Sequence, residues 1–440
     1  MTYKGVRDAF ILAIGDVGVF YLSLWLTLTL RYGRIPDASI WDLHLIPFSF
    51  LFIAWLVSFY IAGLYERPVL ALRVNATALL FKVHALNSVA ALIFFYFIPF
   101  LGITPKVNLV LFLFVSLLAL HGWRALSYWI LRSREPTSAL LIASGDEMKE
   151  LREEVNADAR RRLAFISSID LERINGIDPQ KDVVRVVYSE EVKLIAIDLR
   201  HEYVEKILPH LYNLIFSNIR FVDMQRLYEE VFNRVPLSVL RYNWFLENIS
   251  DSPRSWYETL KRLVDVFVGG AVGALSLVVY PFVVAAIYIE DGGPLFFSQE
   301  RIGKNNAIIT IHKFRTMTTD GARVTRVGRI LRSFHIDELP QLWGVVGGSL
   351  SLIGPRPEIP DMVHQYEKVL SYYNIRHLVK PGLSGWAQLY HDDPPKFRFS
   401  PHHTALKLSY DLYYIKNRSF FLDLKVALKT IKHILMNKGK

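Results

Sequence analysis

Residues 263–289, LVDVFVGGAVGALSLVVYPFVVAAIYI, form the stretch on which the fold turns. The run is long enough to cross a bilayer as one helix, which takes about 20 apolar residues. Three features argue against a simple crossing. Pro281 sits well inside it, where proline removes a helix hydrogen bond and bends the axis. Gly269, Gly270 and Gly273 add weak points. Both flanks are basic, with Lys261 and Arg262 before the run and Arg301, Lys304, Lys313 and Arg315 beyond Asp291. A crossing would put the second basic flank outside the cell, against the positive-inside bias. The sequence therefore predicts a re-entrant membrane helix over 263–289, broken at Pro281, that enters and leaves on the cytoplasmic side.

Upstream, four apolar stretches fill the first third of the 440-residue chain: Ala9–Leu30, Leu43–Ala62, Leu79–Leu101 and Val107–Ile130. Each approaches the length of a spanning helix. Tyr32, Trp41, Tyr65 and Trp129 flank them, as aromatic residues do at membrane interfaces. Lys4 and Arg7 precede the first stretch, Arg67, Arg73 and Lys82 lie between or beside the second and third, and Arg132 and Arg134 follow the fourth. The other two loops are poorer in cations, carrying Arg31, Arg34 and Lys106. This bias predicts a four-span α-helical bundle over residues 1–135 with both ends in the cytoplasm. Asp8, Asp16 and His84 fall in or beside the spans and are expected to pack inside the bundle, because lone polar groups in a membrane are costly.

Composition agrees. The chain is 52% hydrophobic yet carries 51 Lys+Arg against 41 Asp+Glu, a net charge of +10, so apolar spans alternate with basic regions. It has no cysteine, which excludes disulfides and thiolate metal sites. The N-terminus is not expected to be a cleaved signal, because its apolar stretch is long and no small-residue cleavage site is followed by a soluble mature chain.

From Pro136 the character changes to α/β, giving a middle domain over 136–245 and a linker over 246–260. Strands are predicted at Ala139–Ala143, Arg162–Ile169, Val183–Tyr188, Lys193–Leu199 and Ile219–Val222, with helices over Glu147–Val155 and near Tyr203–Phe216. That alternation implies a parallel, doubly wound, Rossmann-like sheet. A phosphate loop is missing, since only Gly145 stands where a dinucleotide fingerprint needs three glycines. A structural or dimerising module is the expectation, with nucleotide binding as its alternative. Arg160, Arg161 and Arg162 read as a solvated face.

Four strings follow in quick succession. They are G-P-L-F-F-S-Q-E-R-I-G from Gly293, K-F-R-T-M from Lys313, D-E-L-P-Q-L-W from Asp337 running on to S-L-I-G-P-R-P from Ser351, and K-P-G-L-S-G-W-A-Q from Lys380. Physically, they scatter basic groups around one acidic pair, Asp337 and Glu338. Arg315, Arg329, Arg332 and Arg356 suit bidentate contacts to phosphate oxygens, and Lys313 acts as a point charge. Pro340 is tolerated only in a first helical turn, so Asp337 stands at or near a helix start, where free N–H groups favour anions. An acidic pair among arginines also suits Mg²⁺ bridging a carboxylate and a diphosphate. Taken alone, though, Asp337 and Glu338 read equally as a helix cap or a solvated face.

The order and wording of these strings resemble the bacterial sugar transferase family, monotopic phosphoglycosyltransferases that load a sugar phosphate onto a polyprenyl phosphate carrier. The resemblance runs from Lys261 to the end and implies a mainly α catalytic domain over 261–440. The layout of spans, Rossmann-like domain and catalytic domain resembles the larger members, which initiate O-antigen, capsule or exopolysaccharide synthesis. Three departures stand out: Gly344 where the family has Asn, Ser349 where it has Asp or Glu, and Tyr280 before Pro281 where it has Ser.

The resemblance implies that Asp337 attacks the phosphate next to the sugar of a UDP-sugar, that UMP leaves, and that polyprenyl (undecaprenyl) phosphate then takes the phosphosugar from Asp337. Glu338 is then the assistant, Lys313, Arg315, Arg332 and Arg356 the phosphate-binding groups, and Mg²⁺ the cofactor, held by Asp337. The implied partners are UDP-sugar, polyprenyl phosphate, membrane lipid and a second copy in a homodimer, with no nucleic acid. The implied location is the bacterial inner membrane with the catalytic domain on its cytoplasmic face, and galactose or glucose the usual sugar.

Other readings stay open. The chain could be a non-catalytic membrane scaffold for polysaccharide assembly. A polytopic sugar-phosphate transferase fits less well, having its aspartates in loops between many more spans. The His391–His403 segment lacks regular ligand spacing and reads as a loop rather than a metal cluster. In the tail, Leu424, Leu428, Ile431 and Leu435 share one helical face and Lys425, Lys429 and Lys432 another, which suits either membrane apposition or core packing.

Overall fold

The computed structural model describes residues 3–65, 73–97, 106–132, 137–157, 163–172, 183–217, 219–238, 240–249, 255–391 and 400–436. Arg67, Arg134, the Arg160–Arg162 run and residues 392–399 lie outside these. The chain divides into two compact units, Met1–Val231 and Phe232–Lys440.

The first unit opens with four helices, α1 (Tyr3–Tyr32), α2 (Ala38–Ile61), α3 (Arg73–Phe97) and α4 (Lys106–Arg132). Three contain segments long and apolar enough to cross a membrane, Ala9–Tyr32, Ala38–Ile61 and Val107–Ser127, while the apolar part of α3, Leu79–Phe95, is shorter. They pack around an aromatic core in which Phe48, Phe52 and Trp55 of α2 meet Phe20 of α1 and Phe112 of α4. Asp16 and His84 pack inside, as expected, while the Asp8 side chain lies outside the described residues. Asp16 accepts from Arg124 Nη2 at 2.6 Å and from Tyr65 Oη at 2.8 Å, and His84 Nε2 lies 3.0 Å from the Leu113 carbonyl.

The α/β part is a four-stranded parallel sheet in the order β2-β1-β3-β4: β1 (Thr137–Ala143), β2 (Leu163–Asp170), β3 (Leu194–Ile197) and β4 (Arg220–Asp223). Ala139 to Ala143 are fully buried, which explains the unbroken apolar run of a strand covered on both faces. The helix after β1, α5 (Asp146–Ala157), places Asp146 and Glu147 in its first turn, a poor seat for phosphate. One predicted strand is corrected. Residues 185–189 form a short helix, α6 (Arg185–Ser189), not a strand. Val183 and Val187, four apart, bury one side, a spacing that a short β-branched run hides.

The second unit begins earlier than the boundary expected at residue 245. Val235, Leu240, Trp244 and Phe245 already pack against Ile302, Val363, Tyr373 and Leu412, so the stretch before the expected linker belongs to this core. After α7 (Leu208–Tyr212), α8 (Met224–Phe232) and α9 (Tyr242–Asn248), the apolar run at 263–289 becomes two helices, α10 (Ser255–Ser276) and α11 (Tyr280–Asp291), bent by 53° across residues 277–279. Pro281 sits in the first turn of α11, where its missing N–H costs nothing. The glycines are not weak points. α10 runs unbroken through them, and a Cβ on Gly269 would meet Val345 at 3.1 Å, because a neighbouring helix packs into that face.

The remainder comprises the antiparallel hairpin β5 (Phe296–Ile302) and β6 (Ile308–Phe314), α12 (Arg326–Ser333), α13 (Gln341–Gly347), the parallel pair β7 (Ser351–Ile353) and β8 (Gly382–Ser384), and α14 (Pro360–Val369). The short α15 (Trp386–Tyr390) and the longer α16 (Pro401–Asn417) and α17 (Phe420–Met436) complete it. In α17, Lys425 and Lys429 lie over the rings of Trp386 and Tyr390, while Leu424 and Ile431 stay exposed.

Candidate active site

Local punctuation presents the acidic pair. α12 is capped twice: Thr325 accepts from the Gly328 N–H at 2.8 Å, and the Glu290 carboxylate accepts from the N–H groups of Arg326 and Val327 at 2.6 and 3.0 Å. After the helix, His335 turns the chain in the left-handed region, φ 53°. A single 3₁₀ turn follows, Ile336–Glu338, leading through Leu339 and Pro340 into α13. Residues three apart eclipse in such a turn. Ile336 and Leu339 accordingly share a face and pack against Val283, Ile287, Phe314 and Leu331. Asp337 and Glu338 face away from that core, at the helix start the sequence predicted.

Glu338 gathers two cations. Lys313 Nζ, near the end of β6, lies 2.5 Å from its Oε1, and Arg356 Nη2, from the loop after β7, donates to the same oxygen at 3.2 Å. Burial opposes the charge, but Arg356 and Lys313 outweigh it and hold the carboxyl at about 2. Asp337 differs. It is 8% exposed, and among the described residues no group donates a hydrogen bond to its carboxylate. Burial and then the Glu338 charge push its pKa above the usual carboxylate range, against Lys313, His335 and Arg332. The two adjacent carboxyls are thus shifted in opposite directions.

The predicted phosphate ligands fare unequally. Lys313 and Arg356 converge on the pair. Arg332 donates through Nε to Thr316 Oγ1 at 2.8 Å, and its Nη groups have no protein partner among the described residues. Arg315, expected beside phosphate, is instead occupied within the protein. It is buried, forks onto the Asp291 carboxylate, and donates to the carbonyls of Pro294 (2.5 Å) and Met317 (2.8 Å). Asp291 stands where a phosphate would, and the fork closes α11 onto β6.

Sequence reasoning missed this clamp, and it missed a second one. Arg376, 2% exposed, donates to the Arg356 carbonyl at 2.9 Å while Asp411 holds it at 2.8 Å and Glu358 lies 3.4 Å away. Lys407 pairs with Glu358 at 2.6 Å, and Arg301 donates to the Pro357 carbonyl at 3.2 Å. Burial opposes the Glu358 charge, but Lys407 and Arg376 hold it at about 2. The available signals were Glu358 directly after G-P-R-P and the Glu290-Asp291 pair closing an apolar run.

Among the described residues no group of three or more His, Asp or Glu side chains could hold a metal ion. The donor set at hand is the open Asp337 carboxylate and the remaining oxygen of Glu338. That fits Mg²⁺, which binds through one or two carboxylates together with substrate phosphates and water.

Residues 256–437 match a family model described as bacterial sugar transferase. The chain is 38% identical over 237 residues to a UDP-N-acetylgalactosamine-undecaprenyl-phosphate N-acetylgalactosaminephosphotransferase of Aeromonas hydrophila, covering 51% of this chain and 54% of that one. It is 37% identical over 190 residues to an uncharacterized sugar transferase, EpsL, of Bacillus subtilis, covering 41% of this chain and 89% of the relative. A UDP-glucose:undecaprenyl-phosphate glucose-1-phosphate transferase of Xanthomonas campestris pv. campestris is 34% identical over 171 residues, covering 36% of this chain and 34% of that one. The chain thus spans about half the length, or less, of the two relatives named for an activity.

Proposed function

The chain belongs to the bacterial sugar transferase family, and we propose on that premise that it transfers a sugar 1-phosphate from a UDP-sugar to polyprenyl phosphate at a membrane. The observation that carries this reading is the Asp337 carboxylate, buried and without a hydrogen-bond donor among the described residues, beside an ionised Glu338.

In the first half-reaction an Asp337 oxygen attacks the phosphorus next to the sugar, the bond to the bridging diphosphate oxygen breaks, and UMP departs with that oxygen. In the second, an oxygen of polyprenyl phosphate attacks the same phosphorus, and the bond to Asp337 breaks, returning its carboxylate. A carboxylate nucleophile splits one difficult transfer into two. Glu338, held at about 2, is not a proton donor near neutral pH; it orients Lys313 and Arg356 toward the diphosphate. Arg332 offers its Nη groups to the same phosphates, and Arg315 braces the site from behind. Asp337 would hold Mg²⁺, which supplies charge neutralisation on the diphosphate when bound.

The 53° bend and exposed Phe267, Leu275, Phe282 and Ile289 support insertion of α10 and α11 as a re-entrant pair from the cytoplasmic face of the inner membrane. Four spans anchor the chain there, and the Rossmann-like sheet serves homodimerisation. The relatives' names, one N-acetylgalactosamine and one glucose, set the panel of UDP-sugars together with galactose. Time-resolved UMP release in membrane vesicles, with trapping of labelled sugar phosphate on the protein, tests the reading. Asp337→Asn should lose both product and adduct. Full turnover in that variant would end the proposal, and no UMP from any UDP-sugar would favour the scaffold.

A further inference from the structure

A second polar centre lies at the other end of α13. Its cavity of ≈ 40 Å³ is lined by Tyr257, Lys261, Arg262, Asp265, Lys380 and Arg418 with three neighbours. Two cations are neutralised locally, Lys261 by Asp423 at 2.7 Å and Arg418 by Glu258 at 2.8 Å. Arg262 donates to the carbonyls of Val345 and Val346, the last turn of α13, at 2.7 and 2.6 Å. Lys380, which opens the K-P-G-L-S-G-W string, is half-buried and has no hydrogen-bond or ion-pair partner among the described residues.

The two charges converge. A Cβ at Gly348 would stand 3.4 Å from Lys380 Nζ and 3.3 Å from Arg262 Nη2. One lining carboxylate remains for both, Asp265, whose Oδ1 already accepts the Leu352 N–H at 3.0 Å. Two cations against one carboxylate leave a single positive charge over. Burial first, and Arg262 next, pull the Lys380 pKa down, as happens to an ammonium lacking a counter-ion.

We propose that this cavity takes the phosphodiester headgroup of a membrane phospholipid, with Lys380 and the outer N–H groups of Arg262 as its contacts. A phosphodiester carries one negative charge and matches the surplus, whereas a phosphomonoester carries about −1.5 to −2 at neutral pH. Exposed Trp256 and the adjoining Tyr257 stand just before the apolar run, at the level where aromatic residues meet headgroups. That placement rests on the re-entrant reading above. Asp337 precedes the first turn of α13 and Arg262 caps its last, about 10 Å along the helix, so the lipid would not occupy the transfer site.

Native mass spectrometry of the full chain in detergent, titrated with dioleoylphosphatidylglycerol, tests this. The wild type should retain the lipid, Lys380→Arg should keep it, and Lys380→Met should weaken retention about tenfold, the worth of one charge-assisted contact. Dioleoylglycerol, lacking phosphate, should not be retained, and excess inorganic phosphate should not displace the lipid. Equal retention by Lys380→Met, equal retention of dioleoylglycerol, displacement by inorganic phosphate, or preferential displacement by polyprenyl phosphate would each overturn the proposal. UMP release from UDP-sugar without acceptor should stay near wild type in Lys380→Met. Its loss in wild type would instead count against the proposed function.

Discussion

The second unit contains two buried charge clusters that differ in how far their charges are paired. Around Arg376, the charges pair off within the chain: Asp411 and Glu358 take the guanidinium and Lys407 takes Glu358, although Asp411 Oδ1 has no hydrogen-bond partner among the described residues. Around Asp337, the cations crowd onto Glu338, and the nucleophile candidate has no donor among the described residues. A satisfied cluster holds shape, here the backbone of Arg356. An unsatisfied one holds a place for something absent from the chain.

The sharpest way to break this contrast is Asp337→Asn. Transfer should fall by about three orders of magnitude or more, as when a nucleophile is removed. Thermal stability should rise in the same variant. A carboxyl whose folded pKa is raised costs stability wherever it is ionised, and the amide removes that cost. A lower melting temperature would contradict the contrast.

Arg376→Met should behave oppositely, losing roughly 3–5 kcal/mol of stability because buried Asp411 loses its ion-pair partner and Glu358 keeps only Lys407 of its two. Denaturant midpoints would measure it, and a midpoint near wild type would remove the scaffold role. The acid range offers a milder probe of the same cluster. Glu358 has a folded pKa of about 2, below its ordinary 4.5, so its stabilisation is complete above 4.5 and fades as pH falls toward 2. Melting temperatures across that window should drop in the wild type and flatten in Glu358→Gln.

The smallest effect is a displaced pH profile. Transfer needs ionised Asp337, and Lys313 lowers its pKa. Lys313→Met should therefore move the acid limb of the rate profile to higher pH, by about one unit or less for a partly exposed charge. An unmoved limb would separate Lys313 from Asp337.

Much of this was legible in contiguous letters. The apolar runs, the break before Pro281, the parallel strands at 139–143 and 194–197, and the acidic pair all lie within short windows where periodicity and turn residues speak directly. What escaped was long-range. The Arg315–Asp291 fork joins residues 24 apart and the Arg376–Asp411 contact residues 35 apart, so no local pattern flags either. Gly269 looked like a flaw because its partner, Val345, arrives from another helix. The helix at 185–189 was mistaken for a strand because short β-branched runs suit both. The unit boundary slipped because Trp244 and Phe245 are core residues that resemble a loop's anchors in sequence.

The double seal at the end of α11 bears on how this protein can be handled. Glu290 caps α12, Asp291 locks Arg315, and Val283 and Ile287 lie under the turn that carries Asp337. An engineer seeking a water-soluble fragment would cut away α10 and α11 first. That cut would strip a helix of one of its two caps, an arginine of its counter-ion and the acidic turn of its floor. The apolar helix pair is thus a floor under the acidic turn as much as a greasy appendage, and detergent or lipid belongs in any preparation meant to keep that turn in place.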